Sequence, residues 1–175
     1  MIPIFQTPRD IALKLFREAG RAWTAPDLQS MADHLYNFCV TNSSLRDWVL
    51  QTKGIVKSDP AFQSFHATWR QRANGHFGEC ADIANASKHL VVKKAGVGQV
   101  REELVALGPY GVVEGSNKTR DSFEIILSDG SAIDLLMFIH KICSEWESIF
   151  SSDSDFTALP SHGEFLFSWL PGHAK

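Results

Sequence analysis

The stretch DIANASKHL, residues 82–90, places a carboxylate, an amide, an ammonium and an imidazole among small and apolar neighbours. If it is helical, each residue advances about 100° around the axis, which puts His89 at roughly 340° and Asn85 at roughly 300° from Asp82. Lys88 falls just outside that arc. Ala86, Leu90 and Ile83 lie on its other side, so the polar groups border the apolar face instead of opposing it. Polar side chains at such a border are partly desolvated and must find partners. A carboxylate beside an imidazole raises its pKa and fixes its tautomer. The chemistry on offer is acid–base or ligand-binding work by His89, oriented by Asp82 or Asn85, with Lys88 for an anion. The same residues would also serve as a polar network that ties the end of a helix to the neighbouring strands.

Further basic residues lie near. Lys93 and Lys94 come after His89, and Arg70 and Arg72 belong to the preceding helix. Together with Lys88 they could form a patch for phosphate contacts with RNA or a nucleotide, or they could be long side chains snorkelling at a surface. VGQV and GPYG lack the glycine spacing and Lys-Ser/Thr of a phosphate loop. There is no GxSxG elbow and no CxxC pair. His34, His66 and His140 fall on three helices that could meet at one ion. His66 and His140 lie beside apolar stripes, however, and read as hydrogen-bonded core residues. Neither a metal nor a cofactor is expected. His76 reads as a surface residue, and His162 and His173 lie in an acidic tail with little to single them out.

The elements that would position these residues are helical for the first half of the chain. The length of 175 residues suits one domain spanning 1–175. Thr7 and Pro8 open a helix with Ile11, Leu15 and Phe16 on its apolar stripe, and Gly20 reads as its stop. A second helix starts near Thr24. TNSS, residues 41–44, reads as an interruption capping a third, SLRDWVLQTK. Ser58 and Asp59 before Pro60 open a fourth, and residues 76–90 form a fifth. The helices thus occupy about 7–90. A β-meander is expected over about 91–129, where GPYGVVEG and SFEIILSDG read as strands. A long helix over about 131–150 carries Leu135, Phe138, Ile139, Ile142 and Trp146 at helical spacing. Residues 151–175 form a tail in which FLFSWL must dock, because such bulky apolar groups do not stay in water. The predicted fold is α+β and mainly α: a bundle of about five helices with a small antiparallel meander inserted before the last long helix.

The net charge of −3 is unevenly spread. Residues 57–120 hold 9 Lys/Arg against 6 Asp/Glu, and residues 121–175 hold 2 against 9. Long-range steering of nucleic acid is therefore not expected, although a local basic patch remains open. Cys39, Cys80 and Cys143 read as reduced core residues of a cytoplasmic protein. No signal peptide is legible at the start, and no apolar run reaches the roughly 18 residues of a spanning helix, so no membrane partner is expected.

The helix bearing Asp82, Ile83, Asn85, Lys88 and His89, with short strands after it and then a helix ending in Trp146, resembles a group of uncharacterised bacterial and phage-associated proteins. More remotely, an Asn with a His four residues later in a helical bundle is similar to HEPN domains. That resemblance implies a homodimer and a protein or RNA partner, in a phage-defence or toxin–antitoxin setting. In HEPN ribonucleases an Arg precedes the catalytic His by five to seven residues; here those places hold Ala84, Ile83 and Asp82. The expected function is a non-catalytic HEPN-like binding module. The alternative is a ribonuclease or other phosphate-handling enzyme with His89 as acid/base.

Overall fold

The computed structural model describes residues 4–86, 96–104, 107–108, 111–112 and 119–167. Among these, six helices occur: α1 (Pro8–Thr24), α2 (Leu28–Thr52), α3 (Pro60–Gln71), α4 (His76–Ala86), α5 (Leu135–Ser152) and α6 (Gly163–Phe167). The strands are β1 (Gly96–Leu104), β2 (Leu107–Gly108), β3 (Gly111–Val112), β4 (Thr119–Ile126) and β5 (Ala132–Asp134). β1, β4 and β5 form one antiparallel sheet in that order, and β2 pairs with β3. The fold is α+β and mainly helical, with its strands between α4 and the long α5.

Local chemistry sets the helix starts. The Thr7 hydroxyl accepts from the Asp10 N–H while the Asp10 carboxylate accepts from the Thr7 N–H at 2.8 Å, a reciprocal cap. Asp59 accepts from the Ala61 N–H ahead of α3. Gly20 does not end α1, which runs on to Thr24. A Cβ at Gly20 would lie 2.3 Å from the Phe165 carbonyl oxygen, so the glycine admits the backbone of α6 against α1. α2 then begins at Leu28, with Asp27 as its cap.

TNSS does not interrupt. α2 is one helix of 25 residues, and these four residues lie within it. The Thr41 hydroxyl donates to the Asn37 carbonyl and that of Ser44 to the Val40 carbonyl, both one turn back, so neither competes for a cap. Asn42 is fully buried and its Oδ1 accepts from Trp146 Nε1 at 2.7 Å. A tertiary partner thus overrides a local stop signal.

The core gathers Leu15 and Phe16 of α1, Leu35 and Phe38 of α2, Phe77 of α4, and Phe138, Ile142 and Trp146 of α5. Trp69, Phe77 and Trp146 pack in succession, with centroids 5.4 and 5.1 Å apart, the first pair tilted and the second stacked. All three cysteines are buried and free. Cys80 lies against Cys39 and Asn42, and burial pushes its thiol and that of Cys143 well up, so both stay protonated and inert. α5 starts at Leu135, four residues later than the sequence reading, because Ala132–Asp134 pair with β4 and Asp134 caps the helix. Phe165, Leu166 and Phe167 fall in α6, where Leu166 is buried and Phe165 meets Phe16 edge-on, while Ser168, Trp169 and Leu170 of FLFSWL lie outside the described residues. Among the described residues no helix is long and apolar enough to cross a membrane.

Replacing Asn42 by Ala leaves the Trp146 N–H buried without an acceptor, at a cost of about 1–3 kcal/mol. Urea unfolding of N42A should show that loss with an unchanged slope. A cost under about 0.5 kcal/mol, the range of ordinary surface changes, would remove the bond from its central place.

Candidate functional site

α4 carries the first part of the segment singled out in the sequence. Phe77, Cys80, Ala81, Ile83 and Ala84 face the core, whereas Asp82 is half-buried and Asn85 exposed. The carboxylate and the amide therefore border the apolar face. Lys88, His89, Lys93 and Lys94 lie outside the described residues. Asp82 accepts from Arg70 Nη2 at 2.9 Å, joining α4 to α3. The close crossing of these helices is possible because position 78 is glycine: a Cβ there would meet the Arg70 carbonyl oxygen at 3.0 Å.

Arg70 and Arg72 do not share a patch. Two residues apart at the end of a helix, they point to different sides. Arg72 Nη1 reaches Glu145 of α5 at 2.8 Å. Arg70 and Asn85 instead line a cleft of about 220 Å3 with Ser43, Ser44 and Arg46 of α2 and His66 of α3. The guanidinium of Arg46 lies 5.0 Å from the centre of the Trp69 ring and donates to Asp47 through Nε and Nη2, while its Nη1 is 3.4 Å from His66 Nδ1. Burial and the charges of Arg46 and Arg70 hold His66 below the usual histidine pKa, so at neutral pH its ring is uncharged. Two cations from two helices thus meet at one small concavity, with Asp47 and Asp82 bracing them. The sequence reading missed Arg46, whose position is set by α2 running unbroken past TNSS.

His34, His66 and His140 do not meet at one point. His34 Nδ1 pairs with the buried Glu18, which also receives Arg21 at 2.8 Å. His76 is buried, contrary to the sequence reading: its ring packs on Phe138 and Nε2 faces Lys141 Nζ at 3.4 Å. His140 is exposed, and its Nδ1 lies 2.8 Å from Nε2 of the buried His162. His162 Nδ1 is 2.7 Å from Glu147 Oε1, which also accepts from the His162 backbone N–H. Nothing in the sequence signalled this triplet except the i, i+7 spacing of His140 and Glu147. Among the described residues no group of three or more His, Cys, Asp or Glu side chains could hold a metal ion.

Burial is the first cause that lowers the pKa of His66, His76 and His140 below 6.5. As pH falls through 6.5 the unfolded chain takes up these protons before the folded one does. These rings therefore cost the fold nothing above that pH and progressively more below it. The lowered carboxylates Asp10, Asp27, Asp129 and Asp153 start from 3.8 and titrate in a separate, more acidic window. Urea unfolding should show lower stability at about pH 5.5 than at about pH 7.5. An equal or higher value at the acid pH would contradict the neutral rings.

No known family matches the chain, and no characterised protein or solved structure matches it either, so its function rests on the chemistry of these sites.

Proposed function

We propose that the chain is a non-catalytic, HEPN-like binding module that seats a phosphate of an RNA partner in the cleft between α2, α3 and α4. The observation carrying this reading is the convergence of Arg46 and Arg70 on one concavity with Ser43, Asn85 and an uncharged His66. Guanidinium groups are suited to phosphate because their N–H fork matches two oxygens at once. At about 220 Å3 the cleft is smaller than the roughly 300–1,000 Å3 of small-molecule sites. It suits a group projecting from a larger partner better than a whole cofactor.

The bracing carboxylates differ in kind. Asp47 is 54% exposed, so its pair with Arg46 is weak and yields readily to a phosphate. Asp82 is 16% exposed and holds Arg70 in place. That pairing also supports binding over catalysis, because a carboxylate held by a guanidinium is a poor base and is turned away from general-base work. The cytoplasm is the compartment this reading assigns, in keeping with three buried free thiols.

Fluorescence anisotropy with a labelled single-stranded RNA oligonucleotide tests the reading. Arg70→Gln should weaken binding roughly tenfold across sequences and reduce the salt slope by about 0.7. Lack of binding at low salt, or an R70Q protein that binds like the parent while unfolding at the same urea concentration, would overturn it.

A further inference from the structure

A second concavity, of about 380 Å3, lies between the end of α3 and one face of α5. Gln71, Ala73 and Asn74 line one wall, and His140, Lys141, Ser144 and Glu145 line the other. Ala73 and Asn74 have φ of 51° and 56°, and among the described residues they are the non-glycine positions with positive φ. The wall is therefore held in a conformation that side chains rarely adopt.

The imidazole chain ends at this concavity. The Glu147 carboxylate accepts from both the backbone N–H and the Nδ1–H of His162. When its only ring proton is the one on Nδ1, His162 presents Nε2 as an acceptor, and His140 then donates to it from Nδ1. His140 is left with a lone pair on Nε2. Desolvation and the neighbouring His162 keep His140 uncharged at neutral pH, against the pull of Glu147. Tethering the tail does not require this arrangement, because Glu147 and His162 alone already tie the start of α6 to α5. The exposed second imidazole is surplus to that task.

We propose that Glu147, His162 and His140 form a proton relay whose terminal base, His140, serves a second site for a small oxyanion-bearing molecule in this concavity. A hydroxyl of the bound molecule gives its proton to His140 Nε2, and the Nδ1 proton of His140 passes to His162 Nε2. The new imidazolium of His162 rests against the Glu147 carboxylate. The negative charge left on the ligand oxygen is met by the Lys141 ammonium, which lines the same wall. Protons move and no electrons change hands, so no metal or co-reactant is required. Glu145 is engaged by Arg72 at 2.8 Å, which offsets its repulsion of an anion. Glu147 and His162 are positioning residues; His140 and Lys141 touch the ligand.

Nuclear magnetic resonance of the full chain with labelled histidine and lysine tests this, with inorganic phosphate as the probe. At neutral pH His140 should carry its proton on Nδ1. Phosphate should shift His140 and Lys141 saturably in the millimolar range, and Lys141→Gln should raise the dissociation constant roughly tenfold, the loss of one charged contact. Because Glu147 favours the charged form of His140, Glu147→Gln should move the His140 midpoint to lower pH. A purely structural tether predicts no phosphate shift at His140. The His66 signal reports phosphate in the α2–α3–α4 cleft, so failure of one site is distinguishable from failure of the other. An Nε2 proton on free His140, no saturable shift at His140, or an E147Q protein that stays folded with the parental midpoint would each overturn the relay.

Discussion

A single buried hydrogen bond, from Trp146 Nε1 to Asn42 Oδ1, fixes how α2 and α5 meet. Its partners are 104 positions apart in the chain, and both are buried. An apolar contact tolerates small slips along a helix, but a buried N–H with one acceptor does not, because each slip strands a polar group. Asn42 therefore sets the register of α2. One turn further along, that register turns Arg46 over Trp69 and places Ser43 and Ser44 at the cleft. Trp146 also stacks on Phe77, so the same side chain locates α4, and with it Asp82.

The two concavities built on this frame differ in what their carboxylates touch. Around the α2–α3–α4 cleft, Asp47 and Asp82 pair with the guanidiniums that line it, which do not give up protons near neutral pH. Such pairs hold charge in place and leave His66 as an uncharged ring between cations. On α5 the Glu147 carboxylate faces an imidazole, which can pass a proton onward. The first arrangement favours electrostatic recognition, whereas the second favours proton movement. α3 separates them: Arg70 looks to one side and Arg72 to the other, a consequence of two-residue spacing at a helix end.

Much of this architecture was legible in the sequence, because it depends on short-range signals. Thr7-Pro8, Asp59-Pro60 and the apolar stripe of α5 state their elements within a few residues. The misreadings have a common cause in distant partners. TNSS looks like a stop until Trp146 supplies the acceptor's mate, and Gly20 looks like a stop until the backbone of α6 lies across it. His76 reads as exposed because Gly75 precedes it, yet Phe138 and Lys141 enclose its ring. At the site, the border position of Asp82 and Asn85 was given by helical periodicity. The pairing of Asp82 with Arg70 and the meeting of His140 with His162 needed the fold itself. Lys88, His89, Lys93 and Lys94 lie beyond the described residues, so the acid–imidazole pair expected on α4 stays an expectation.

That difference in legibility has a physical origin that also bears on function. A helix displays residues three and four apart together, so periodicity reveals clusters confined to one element. A relay of buried donors and acceptors is more naturally assembled across elements, because each ring needs a partner approaching from outside its own helix. His162 meets this condition: it arrives from the tail, with its side chain 8% exposed, between an acid and an imidazole seven residues apart on α5. Docking of α6 is what brings it there, and Gly20 is what lets α6 dock. The imidazole chain therefore depends on a backbone contact between α6 and α1, made by a residue with no side chain of its own.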